Sequence, residues 1–222
     1  MYCKKFLALL GAVLATALVL TTAAASARPA TIRIEGKTHT LLAQTVAHTH
    51  AGSITKGGAP KGACPGSSVQ GALDVATHHR WSGKWFSSLS SYELFTILCD
   101  HESGTKEFWE ILVNDVPASL GACELKLRPG DRVLFAVVPV NGTDFPLAIT
   151  APRSDTVGHA ITVKVRWFDA KGHAKPLSGA VVNGKRTNHQ GIVQIVPTKA
   201  GKLTLHASKH GYIRDETSVH VS

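Results

Sequence analysis

The chain has 222 residues, a hydrophobic fraction of 44%, 20 glycines, 10 prolines and a formal net charge of +9. That is the composition of a folded globular chain with room for two small domains or one larger one, and it sets aside a disordered or low-complexity protein. The charge is uneven: residues 28–144 carry 11 Lys/Arg against 11 Asp/Glu, whereas residues 145–222 carry 11 against 4, so the basic excess sits in the C-terminal part and points to two units.

In chain order, Lys4 and Lys5 precede an apolar run over residues 6–20, and Ala25-Ser26-Ala27 supplies a small-x-small cleavage pattern. Residues 1–27 are expected to form a secretory signal peptide, too short in its apolar run to span a membrane as a helix, leaving a soluble mature protein that starts near Arg28. Ile32 and Ile34 alternate with charged residues, Gly36-Lys37 forms a turn, and residues 38–46 favour β-structure, which predicts a hairpin. A loop over residues 52–66 follows, with five glycines and two prolines. Ser67-x-x-Gln70 reads as a capping box, and Val69, Ala72, Leu73 and Ala76 place one apolar stripe on a helix ending near His79.

After a turn at Trp81-Ser82-Gly83-Lys84-Trp85, residues 92–98, 107–113 and 132–138 read as strands. Trp109, Ile111 and Val113 share one face of the middle strand and Phe108 and Leu112 load the other, the pattern of a central strand. The order predicts an α+β, β-grasp-like domain with one helix on a mixed sheet over residues 28–144. Residues 140–144 read as a linker. Beyond them, residues 159–168, 180–182, 192–196, 202–207 and 217–221 read as strands, with Asn183-Gly184 a type I′ hairpin signal and Ile161, Val163, Val165 and Trp167 alternating inward. Residues 145–222 are thus expected to form an all-β, immunoglobulin-like sandwich.

Cys64, Cys99 and Cys123 remain after removal of the signal. In an oxidising compartment a pair tends to bridge, and Cys64 and Cys123, both beside glycines in loop-like sequence, are the expected pair; Cys99, at the end of an apolar run, reads as a buried thiol.

Cys64-Pro65-Gly66-Ser67-Ser68-Val69-x-Gly71-Ala72-Leu73-Asp74-x-Ala76-Thr77, with Glu107-Phe108-Trp109 and Gly121-x-Cys123-x-Leu125-x-Leu127-x-Pro129-Gly130-Asp131-x-Val133-Leu134-Phe135, resembles the transcobalamin C-terminal-like domain of exported bacterial proteins. The likeness covers most of residues 31–138 and also implies the Cys64–Cys123 bridge. In the vertebrate cobalamin carriers the corresponding domain closes over one face of the corrin ring, near an aromatic–Trp pair. The resemblance therefore implies Phe108, Trp109 and Glu110 as ligand-binding residues and a corrinoid as their ligand. Glu110 puts a charge where the carriers tend to have a neutral amide, and the large helical barrel of the carriers has no counterpart here. The second half resembles a bacterial immunoglobulin-like or carboxypeptidase-regulatory-like module through Pro176-Leu177-Ser178-Gly179-Ala180-x-Val182, Thr187-Asn188-x-x-Gly191-x-Val193 and Ala207-x-Lys209-x-Gly211-Tyr212.

Other chemistry is weakly signalled. His48-x-His50, His78-His79 and His101 have no specific metal spacing, and no metal site or cofactor is expected. No serine sits in a nucleophile elbow, and Ser67 and Ser68 are explained by capping. Asp100 and Glu102 read as carboxylates of an exposed turn. The basic residues of the second half lack interleaved aromatics, so nucleic acid is set aside. The expected function is that of an exported, non-catalytic binding or adhesion protein whose partner is an anionic cell-wall polymer or an extracellular small molecule; the alternative is a purely structural envelope protein held by its basic domain.

Overall fold

The computed structural model of the chain describes residues 29–142 and 144–222, so the signal peptide expected over residues 1–27 lies outside them. Their strands are β1 (Thr31–Glu35), β2 (Thr40–Val46), β3 (Trp81–Phe86), β4 (Ser91–Ile97), β5 (Asp100–His101), β6 (Glu107–Val113), β7 (Val116–Pro117), β8 (Arg132–Pro139) and β9 (Phe145–Thr150), then β10 (Ser154–Asp155), β11 (Ile161–Phe168), β12 (Ala174–Pro176), β13 (Val181–Val182), β14 (Lys185–Arg186), β15 (Ile192–Ile195), β16 (Gly201–Ser208), β17 (Tyr212–Ile213) and β18 (Asp215–Val221). One α-helix, α1 (Val69–Ala76), lies between β2 and β3, and the fold is mostly β with several mixed sheets. No helix among the described residues is long and apolar enough to cross a membrane.

The opening hairpin forms as the alternation requires: β1 pairs antiparallel with β2, and Ile32 and Ile34 are fully buried. β1 also pairs in parallel with β8, which continues antiparallel to β6 and through it to β7, giving a mixed sheet ordered β2-β1-β8-β6-β7. β6 therefore lies next to a two-residue edge strand, and Phe108 on its outer face is exposed. The inner face, with Ile32, Ile34, Trp109, Val133 and Phe135, shares a core with Val69, Ala72 and Leu73 of α1 and with Trp81, Tyr92, Leu94 and Ile97. Those last four belong to a separate three-stranded sheet, β3-β4-β5. The segment 81–85 is thus a strand and not a turn. Trp81 and Trp85 both meet Tyr92 edge-on, with centroids 5.0 and 5.4 Å apart, a period-two pattern that the intervening Ser-Gly-Lys disguises.

The helix begins one residue later than the capping box predicted. Ser68 is the N-cap, its Oγ accepting from the Gly71 amide at 3.3 Å, and Gln70 is fully buried. The first helical amides are instead satisfied across the fold: Val69 N donates to Leu125 O (2.8 Å) and Gln70 N to Ala122 O (3.0 Å). A Cβ on Gly71 would lie 1.9 Å from the Gly66 carbonyl oxygen, so only glycine lets the helix seat against its own preceding loop. The helix stops at Ala76 because Thr77 folds its hydroxyl back on Leu73 O (2.8 Å) and His78 and His79 take left-handed φ values of 51° and 62°. Replacing Ser68 with alanine removes one of these partners and is expected to cost about 1 kcal/mol, read as a lower urea midpoint at unchanged slope.

Residues 145–222 build two sheets, β10-β18-β16-β13-β14 and β12-β11-β9-β17, with β15 also paired to β11. Leu147, Val163, Val165 and Ile195 of one face Val182, Leu205, Ala207 and Val219 of the other across a single core. Asn183 and Gly184 have φ of 46° and 85°, the two left-handed residues that a type I′ turn between β13 and β14 requires. β9, β10, β12 and β17 lie outside the ranges that read as strands in the sequence. β9 carries Pro146, which argues against a strand in sequence but is tolerated here.

Candidate functional site

Phe108, Trp109 and Glu110 are consecutive on β6 and therefore alternate. Trp109 is 7% exposed, faces the helix side of the sheet and donates its indole N–H to Phe95 O at 3.3 Å. Phe108, 37% exposed, and the half-buried Glu110 point to the opposite face, and burial raises the Glu110 carboxyl above its ordinary range. The three residues implied by the resemblance thus do not converge on one surface.

Cys64 and Cys123 form a disulfide in the core beside α1. Cys99 is exposed and free, not buried. β4 ends at Ile97, and Leu98-Cys99 make the two-residue turn into β5, with Leu98 at φ 57°, so the thiol rides on a hairpin tip instead of continuing the strand. Asp100 and Glu102 are not in an exposed turn either. The Asp100 carboxylate accepts the Lys37 amide at 2.5 Å, holding the β1–β2 turn. Glu102 is buried, its carboxyl pushed up first by burial and then by the charge of Glu93.

Two of the five histidines weighed as metal ligands converge on one carboxylate. Asp74 accepts from His79 Nδ1 and from Trp81 Nε1, both at 2.7 Å, and His50 Nε2 lies 3.5 Å from it. Lys56 completes the cluster, donating to His79 O and Trp81 O at 2.7 and 2.9 Å with its ammonium 4.5 Å from the Trp81 ring centroid. The arrangement pins the glycine-rich loop to the end of α1. His48 and His78 are exposed, and His101 bonds Thr96 in the other sheet. Among the described residues no group of three metal-binding side chains gathers.

The outer face of the mixed sheet meets the C-terminal half. Leu112, Leu134, Ala136 and Val138 pack with Ile213 of β17. Beside them on β1, Arg33 and Glu35 are buried. Arg33 pairs with Asp215 and lies 3.8 Å from Glu35, while Arg214 Nε is 3.5 Å from Glu35 and its guanidinium donates to the carbonyls of Gly36 and Lys37. Thr40 donates to Glu35 at 3.0 Å, and Asp215 accepts the Ile149 amide at 2.6 Å. Burial lowers the Arg33 guanidinium and raises the Glu35 carboxyl, and each is drawn back by the other's charge.

From this contact a cleft of about 570 Å³ opens on the C-terminal half, lined by Gly179, Arg186, Lys209, His210, Tyr212 and Arg214 among others, with no Asp or Glu in its wall. Two cations are held there by backbone and not by carboxylates. Lys209 Nζ donates to Ser178 O at 2.7 Å and sits 5.7 Å from the Tyr212 ring centroid, and Arg186 donates to Gly179 O at 3.3 Å. Each keeps most of its donors free. The charge count had located the basic half without this cleft. Its residues are separated in sequence, and the signal that joins them is their place beside the turn glycines Gly179, Gly184 and Gly211. A second cleft, of about 560 Å³ between β2 and β18, is lined by Gln44, Thr45, Lys202 and Glu216 and carries both signs of charge.

No protein-family model matches the chain, and no curated protein matches it.

Proposed function

We propose that this chain is a non-catalytic binding or adhesion protein of the cell exterior. In this reading, residues 28–144 are a transcobalamin C-terminal-like, β-grasp-like unit, carried on an immunoglobulin-like unit of residues 145–222 that adheres to an anionic surface polymer. A single helix on a mixed sheet with one parallel pair supports the first assignment, and two sheets closing on one core support the second. The buried disulfide suits an oxidising compartment.

One observation carries the adhesion reading: the C-terminal 78 residues hold 11 Lys/Arg against 4 Asp/Glu, and the cleft in their surface has cations in its wall and no carboxylate. The small-molecule reading, corrinoid included, rests on Phe108 and Glu110 alone once Trp109 is committed to the core, and it ranks second.

The test is binding of the purified chain to an immobilised anionic wall polymer at rising salt. Contacts between cations and a polyanion release counterions, so the affinity is expected to fall linearly on a log–log plot. Retention that ignores salt, or no retention at low salt, sinks the adhesion reading.

A further inference from the structure

We infer that the cleft between the Ser178–Gly179 turn and the Lys209–Tyr212 segment is a specific binding site for a phosphate-bearing chain of sugar or polyol units. The inference rests on the adhesion reading and narrows it from a charged face to one site. Three features carry it. First, the cations are positioned before any ligand arrives: Arg186 and Lys209 are tied to adjacent carbonyls, Gly179 O and Ser178 O, which fixes their heads without neutralising them. Such anchoring lowers the entropy that a ligand must otherwise overcome in ordering long side chains. Second, neither has a carboxylate within salt-bridge distance among the described residues, whereas Lys37, Arg132 and Lys175 elsewhere are each paired with one. The nearby acids are engaged elsewhere: Glu35 faces Arg214 from behind, Asp215 pairs with Arg33, Glu216 lies 3.1 Å from His206, and Asp144, whose carboxyl burial pushes up, is drawn back by the charge of His210. Third, Tyr212 adds a half-buried ring to the same wall, its centroid 5.7 Å from Lys209 Nζ.

The chemistry selects among anions. A guanidinium fork matches two oxygens of one phosphate, and an ammonium beside it adds a point charge. A chain of phosphates spaced by apolar-faced sugar or polyol units would present oxygens to Arg186 and Lys209 and a carbon face to Tyr212. A lipid surface fits less well, because the exposed large hydrophobic side chains, such as Leu89, Leu120 and Val196, all lie outside the cleft wall. A nucleic acid needs successive stacking platforms, and the cleft wall offers one aromatic residue.

The experiment titrates the purified chain with a fluorescent poly(glycerol phosphate), with polygalacturonate as a carboxylate chain and with anionic phospholipid vesicles as competitors. Two variants of equal net charge are compared: R186Q/K209Q in the cleft, and K164Q/K199Q at exposed positions outside it. The cleft pair is expected to weaken phosphate-polymer binding roughly 10-fold or more at low salt, and the control pair by no more than about threefold. Both variants should melt close to the unaltered chain, since all four positions are exposed. R186K, which keeps the charge and loses the fork, should bind more weakly than the unaltered chain and lose part of its preference over polygalacturonate, and it serves alone if the double variant does not fold. Equal losses from the two pairs overturn the cleft and leave charge-driven adhesion standing. No binding by the unaltered chain overturns both. Stronger competition from vesicles or polygalacturonate than from unlabelled phosphate polymer overturns the phosphate chemistry.

Discussion

Arg33→Leu is expected to destabilise the chain by about 3–5 kcal/mol, because it leaves Glu35 and Asp215 as buried carboxylates without their shared cation. The magnitude follows from burial: Arg33 and Glu35 sit where the outer face of the mixed sheet meets the C-terminal half, and a charge there cannot be rehydrated without opening the contact. Arg214 partly compensates Glu35 but also bonds the Gly36 and Lys37 carbonyls. In other proteins an apolar contact of similar volume replaces a buried ion cluster without loss of stability. Arg33→Leu combined with Glu35→Leu should therefore recover part of the loss, although Asp215 then keeps only the Ile149 amide. The pH dependence has a definite sign. Glu35 already has a carboxyl raised above its ordinary value of 4.5, and losing Arg33 removes the largest influence pulling it down. A group raised in the folded state contributes stability below its unfolded value and loses it as pH rises. The penalty in Arg33→Leu should thus be smaller at acid pH than at neutral pH. Urea unfolding at both pH values decides; a loss under about 1 kcal/mol, independent of pH, would show that water reaches the cluster.

Alternation at Ile161/Val163/Val165 survives into burial because β11 has one wet and one dry face, whereas on β1 Arg33 and Glu35 are buried along with Ile32 and Ile34, since its outer face meets the C-terminal half. Trp81-Ser82-Gly83-Lys84-Trp85 misled because Gly83 looks like a turn, yet it is where the strand passes under the Glu93 carbonyl, 2.5 Å from an added Cβ. Cys99 misled in the opposite sense: an apolar run does not show that it ends in a turn that keeps Leu98 half-buried against the core and leaves Cys99 exposed. The site was harder still. Local periodicity separated Trp109 from Phe108 and Leu112 without saying which face is the inner one, and no short sequence window contains Gly179, Arg186, Lys209 and Tyr212 together; only the pairing of β13 with β16 and of β17 with β9 brings their turns to one place. The Arg33–Asp215 contact spans the whole chain and has no local signature at all.

Removing the Cys64–Cys123 bridge is expected to cost about 4 kcal/mol, from closure of a loop whose ends are 59 residues apart. The bridge also has a local task. Cys64 O accepts the Ile54 amide at 2.8 Å within the glycine-rich loop, and Ala122 and Leu125, flanking Cys123, supply the carbonyls that satisfy the first two amides of α1. The disulfide thus ties the loop before the helix to the segment that caps it, and its loss should loosen the helix start before the C-terminal sheets. The measurement is made in a Cys99→Ser background, because an exposed thiolate attacks and reshuffles the disulfide of the bridged reference once it unfolds. Cys99→Ser itself should change stability by no more than about 0.5 kcal/mol. Against it, Cys64→Ala with Cys123→Ala is compared by urea unfolding and by amide exchange. Faster exchange at Val69 and Gln70, with β11 and β16 unchanged under native conditions, is the expected pattern, since local openings report the stability of the segment they expose. Uniform acceleration over both halves would mean that the bridge acts only on the unfolded chain. A loss below about 1 kcal/mol would mean that the 59-residue loop is already held closed without it.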